Sequence, residues 1–179
     1  MKTKTNLILS TVNVLFWIVY IGLCIKTGAI LISFLVSLFV SPQGAQDLHL
    51  GLDLSELLRY SKQYYISMVS LIIVLSALKA HMAYLVIRVF MKIDPLHPFN
   101  ATASGLITTI SEVALGSGIL AIICNAYAKW LTKMPVDLQN LTPYLDNGGE
   151  FLFLAGIIFV IAQIFKKGVE IQSENELTI

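Results

Sequence analysis

Charges set within apolar sequence are the groups best placed to do chemistry in this chain, and Lys79 and Glu112 lie deepest. At about 1.5 Å per helical residue, Glu112 falls about 16 Å beyond Ala101 and Lys79 about 21 Å before Ile93, so the two share a depth within a turn. A charge at the bilayer centre costs about 3 kcal/mol on the lenient insertion scale, and an opposite partner lowers that cost. Gly105, Thr109, Glu112 and Gly116 recur at helical spacing, which predicts the carboxylate on a small-residue stripe at a helix contact. Ser76, Lys79 and Ala83 offer an answering face. The pair is therefore expected to be a structural tie between two helices, with an ion or proton pathway as the alternative.

Other reactive residue types form no constellation. His49, His81 and His97 sit on three segments without ligand spacing, so no metal site is expected. No serine lies in a Gly-x-Ser-x-Gly turn, and no phosphate or dinucleotide loop occurs, so no catalytic residue, cofactor or enzymatic activity is expected. Cys24 and Cys124 both fall in apolar runs, where a thiol behaves as a small hydrophobe. Asn13, Asn125 and Gln163 are expected to hydrogen-bond between helices. Lys26 is expected to snorkel toward a membrane boundary.

These groups are carried by a chain of 179 residues that is 56% hydrophobic and 13% charged, well outside the balance of a soluble domain. A formal net charge of +1 gives no field suited to direct nucleic-acid binding. Four continuously apolar runs, about 7–40, 64–91, 101–130 and 150–167, predict an all-α fold: one membrane domain over 1–179, a bundle of four transmembrane helices in the lipid bilayer. The first run far exceeds a signal-peptide core of about 7–15 residues and reads as a retained helix. The first three runs are overlong and the fourth is short, so the first three are expected to project beyond the bilayer.

The connections refine this picture. Ser41-Pro42-Gln43-Gly44 stops the first run, and Asp53 with Glu56 has capping-box spacing for a short extracytoplasmic helix. Asn100, after Pro95 and Pro98, is expected to cap the third span, and Asn147 with Glu150 the fourth. Tyr60, Tyr64, Tyr65, Trp130 and Tyr144 gather at one boundary as an aromatic belt. Lys2, Lys4, Arg88, Lys92, Lys166 and Lys167 at the opposite boundary predict both termini in the cytoplasm. Residues 168–179 are expected to form a flexible tail.

Pro98-Phe99-Asn100 opening the third span, and the ending from Phe165-Lys166-Lys167-Gly168-Val169-Glu170 to Glu174-Asn175-Glu176-Leu177-Thr178-Ile179, resemble the bacterial four-helix membrane family catalogued as domain of unknown function 2975. The resemblance implies a small inner-membrane protein whose gene often neighbours one for a small helix-turn-helix regulator, and it carries no established catalytic residues. The basic cluster that many relatives place after the Pro-Phe motif is absent here. The resulting expectation is a noncatalytic scaffold or regulatory protein that binds such a cytoplasmic regulator. Its partner surface is expected at His97, Pro98, Phe99, Asn100, Lys166, Lys167, Glu170, Gln172, Glu174, Asn175 and Glu176. The sequence leaves the oligomeric state open, a homo-oligomer included, and a small transporter using Lys79 and Glu112 is the alternative function.

Overall fold

The computed structural model describes residues 2–92, 100–145 and 147–176. Every regular element among them is helical. Helix α1 spans Lys2–Phe39, α2 Ser55–Tyr60, α3 Lys62–Lys92, α4 Ala101–Leu131 and α5 Gly148–Glu176, with 3-10 turns at Pro42–Ala45 and Gln139–Tyr144. Four of these helices are long and apolar enough to cross a membrane, which makes the chain a multi-pass membrane protein.

The long helices pack in chain order. α1 lies on α3, α3 on α4 and α4 on α5. Edge and centre differ accordingly: 11% and 17% of the most apolar stretch is buried in α1 and α5, against 44% in α3 and in α4. α1 and α3 run antiparallel, since Phe16 meets Phe90 while Phe34 meets Tyr65.

Where α5 begins is decided by two glycines. A Cβ on Gly148 would lie 2.8 Å from the Gly118 carbonyl oxygen and 2.6 Å from Ile122 Cγ1, while one on Gly118 would lie 2.8 Å from Leu152 Cδ2. Only glycine lets the α5 backbone approach α4 this closely. α5 therefore starts beside Ile122, and α4 continues nine residues, about 14 Å, beyond that level to Leu131. The fourth long helix, α5, is thus not short, as its apolar run suggested: at 29 residues against 31 for α3 and for α4, it is displaced along α4 rather than truncated.

The helix ends on this side share a core of their own. Leu48, Leu52, Leu54 and Leu57 from the α1–α3 connection bury against Tyr65, Met68, Ala128 and Leu131, closed by Leu138 and Leu141 from the α4–α5 connection. Together these leucines form a folded cap. At its tip Leu50 (φ 44°) and Gly51 (φ 86°) make a left-handed turn. Asp47 Oδ1 accepts the Gly51 N–H at 3.0 Å, and the Tyr144 hydroxyl donates to the carbonyls of His49 and Leu50. Burial, and then the Asp47 carboxylate, hold the Tyr144 phenol above its ordinary titration range.

Caps were partly as the sequence predicted. Asn100 caps α4, its Oδ1 accepting the Ala103 N–H at 2.7 Å while its amide donates to the Lys92 carbonyl at 3.1 Å. Asn147 accepts from Gly149 N–H and donates to Glu150 Oε1 at 2.9 Å. The capping box expected from Asp53 and Glu56 does not form: α2 begins at Ser55, Leu54 occupies the cap position without a side-chain bond, and Asp53 accepts from the Ser55 N–H. Glu56 instead accepts the Asp137 N–H at 2.9 Å and ties α2 to the α4–α5 connection. Of the residues expected in an aromatic belt, Tyr60 stacks on Tyr64 and Tyr64 meets Trp130 edge to face, with Tyr127 stacked on Trp130; Tyr65 is instead buried, its hydroxyl 2.6 Å from Ser37 Oγ, and Tyr144 belongs to the cap.

Candidate functional site

Lys79 leaves α3 on its packed side. Ile72, Leu75, Ser76 and Ala83, at seven, four and three residues before it and four after, are all buried. The half-buried lysine stretches toward the start of α5, its Nζ 5.9 Å from the Phe151 ring centroid. Lys26 does the same from α1, with Nζ 5.0 Å from the Tyr144 ring centroid. Both lysines thus lie near the level where α5 begins and the polar α4–α5 connection passes.

Glu112 takes the other side of α4. The buried positions of that helix, among them Ile107, Ile110, Ala114 and Ala121, form one stripe, and Glu112 is exposed opposite it. The small residues around it are not at an internal contact: a Cβ on Gly105 or Gly116 would meet nothing within 4 Å. Ser111 Oγ donates to the Ala155 carbonyl at 3.0 Å, which places Glu112 about 10 Å inside the start of α5. The structure brings Lys79 and Glu112 to similar depth without bringing them to a shared face.

A residue that the sequence reading set aside stands nearer in arrangement to Glu112. Tyr64 and Trp130 meet at 5.2 Å between ring centroids, and counting down both helices from that contact puts His81 about 26 Å and Glu112 about 27 Å away. His81 is also exposed. A groove between α3 and α4 is walled by Ser67, Ser70 and Val74 on one helix and Leu120 and Ile123 on the other. His81 follows Ser70 and Val74 by eleven and seven residues, and Glu112 precedes Ile123 by eleven, so helical register places both on the outward faces that flank that groove, His81 also bordering the α1–α3 groove. The signal available in the sequence was depth; the missing information was rotation about each helix axis.

A second groove, between α1 and α3, is lined by Tyr20, Cys24, Thr27, His81 and Tyr84 among others. Neither cysteine is in a disulfide; Cys24 is exposed and Cys124 buried.

At the end carrying the termini, His97, Pro98 and Phe99 lie outside the described residues, and Asn100 is engaged as the α4 cap. The C-terminal segment departs from expectation: α5 passes through Gly168 without a break and continues to Glu176. Lys167 Nζ pairs with Glu170 Oε2 at 3.0 Å on the exposed helix surface, one turn apart. Lys166, Lys167, Glu170 and Glu174 are exposed and Gln172 is half-buried, while the side chains of Asn175 and Glu176 lie outside the described residues. The segment read as a tail is thus a charged helical extension.

A family model described as protein of unknown function (DUF2975) matches residues 50–179. The match begins inside the cap and runs to residue 179, leaving α1 outside it. No curated protein and no solved structure matches the chain.

Proposed function

We propose, from the premise that the chain belongs to the DUF2975 family of proteins of unknown function, that it is a noncatalytic membrane scaffold whose C-terminal helix holds a cytoplasmic protein partner. One observation carries this reading: α5 runs on as a helix to Glu176, about 14 Å beyond Lys167. Lysines at the membrane surface anchor such a helix. A preformed helix presents its charges in fixed register, so a partner does not have to order a loose tail on binding. The small helix-turn-helix regulator implied by the gene-neighbour resemblance is the partner class proposed.

The test is recovery of the detergent-solubilised, tagged protein from its native cells in three forms: full length, truncated after Lys167, and Val169→Pro. Proline within a helix removes a backbone hydrogen bond and breaks the register. A regulator recovered with the full chain and lost from both variants supports the reading. No partner, or a partner retained equally by all three, overturns it. No observation favours transport over this reading, because Lys79 and Glu112 leave their helices on different sides.

A further inference from the structure

We infer that two copies of this chain associate in the membrane through the outward surface of α3 and α4, with Glu112 of each copy set against His81 of the other. This does not rest on the proposed cytoplasmic partner, which engages the opposite end of α5.

Glu112 is the starting point. Its carboxylate is exposed within an apolar span, and no hydrogen bond or ion pair reaches it among the described residues. Ionisable groups at that position are stable when they face protein or water, not hydrocarbon. Its own chain packs elsewhere on α4, so the covering surface comes from another molecule. The α4 surface at that place is shaped for close approach, since the space above Gly105 and Gly116 is open.

Charge and symmetry identify the occupant. His81 is the exposed basic side chain of α3 at the depth of Glu112, within about 2 Å by the count from the Tyr64–Trp130 contact. α3 and α4 lie side by side, and helical register puts these residues on the outward faces that flank their shared groove. A two-fold axis along the membrane normal leaves every depth unchanged and turns that surface onto its equal, setting α3 of one copy against α4 of the other. Each His81 then faces a Glu112, twice over, as an isologous interface requires. A single chain therefore carries both halves of the pair on a self-complementary surface. Arg88, exposed about two turns farther along α3, adds positive charge to the same surface.

The experiment measures the monomer–dimer equilibrium of the full chain in liposomes by single-molecule photobleaching, over a range of protein-to-lipid ratios. Glu112→His and His81→Glu each place like residues opposite one another, and the double swap restores two unlike pairs. Losing two pairs of the strength typical of interhelical hydrogen bonds in membranes corresponds to about a tenfold weaker dimer. The single variants are expected to lose at least that much, and the double swap to return within about threefold of the parent. Gly116→Leu fills the open space and is expected to weaken the dimer similarly, while the helix content and unfolding midpoint in detergent stay as in the parent.

A parent that stays monomeric at every ratio overturns the inference. So do single variants that dimerise like the parent, a double swap no better than either single change, or a dimer undiminished by Gly116→Leu. A monomer that uses Glu112 to bind a different membrane protein also overturns it.

Discussion

Gly148→Ala is expected to loosen the junction of α4 and α5, and the clash it creates can be read atom by atom. The added Cβ would stand 2.6 Å from Ile122 Cγ1, 2.8 Å from the Gly118 carbonyl oxygen and 3.1 Å from the Ile122 nitrogen. Ile122 can change rotamer, but the other two atoms belong to the α4 backbone. Relief therefore requires α5 to move away by a few tenths of an ångström or more, which pulls on the Asn147–Glu150 cap. Overpacking of this kind costs about 1–3 kcal/mol. Replacing a helical glycine returns up to about 1 kcal/mol of backbone entropy, less in a first turn, so the net loss is about 1–2 kcal/mol. The control is Gly156→Ala on the same helix, where an added Cβ meets nothing within 4 Å. Equilibrium unfolding in mixed dodecyl-sulfate micelles, followed by far-ultraviolet circular dichroism, reads both. Gly148→Ala should unfold at lower denaturant and Gly156→Ala at the parent value or above. Equal midpoints for Gly148→Ala and the parent, or a larger loss in Gly156→Ala, would refute the close-approach reasoning.

Two further outcomes concern the cap. Leu57→Ala removes a fully buried side chain from the cap core, at a cost of about 2–5 kcal/mol. Limited proteolysis of the protein in liposomes should then cut within 132–147 while the four spans remain protected; unchanged cleavage would mean that the cap is not held by this core. The Tyr144 phenol, raised from 10.0 by burial and by Asp47, keeps its proton more tightly when folded. Its contribution to folding stability is therefore fully present below about pH 10 and is lost as pH rises from there through the raised folded value. Thermal unfolding between about pH 9 and about pH 11 should show a drop in the parent that is smaller in Tyr144→Phe.

Several features were legible because they depend on near neighbours in the chain. Asn100 could be read as a cap because the acceptor it supplies and the Ala103 N–H it meets are three residues apart. Asp53 and Glu56 had the same kind of spacing, but a distant donor, the Asp137 N–H, took the Glu56 carboxylate. The C-terminal extension was misread because Gly168 and a polar composition weigh against helix, whereas α5 runs through both and Lys167 pairs with Glu170 one turn on. The leucines at 48, 52, 54 and 57 carried no sign of whether they lay on lipid or made a core, since burial there depends on Leu138 and Leu141 from another loop.

The candidate site divides along the same line. Sequence alone determined that four apolar helices are long enough to cross a membrane, that Lys79 and Glu112 share a depth, and that Tyr64 and Trp130 lie at the same boundary. Each follows from length, hydropathy and a rise of about 1.5 Å per residue. Only the tertiary structure decided which way each side chain leaves its helix, sending Lys79 to the packed side and Glu112, with Gly105 and Gly116, to the outside. The reason is physical: a helix apolar on all sides has no wet face to orient it, so its rotation is chosen by packing against its neighbours rather than by its own pattern.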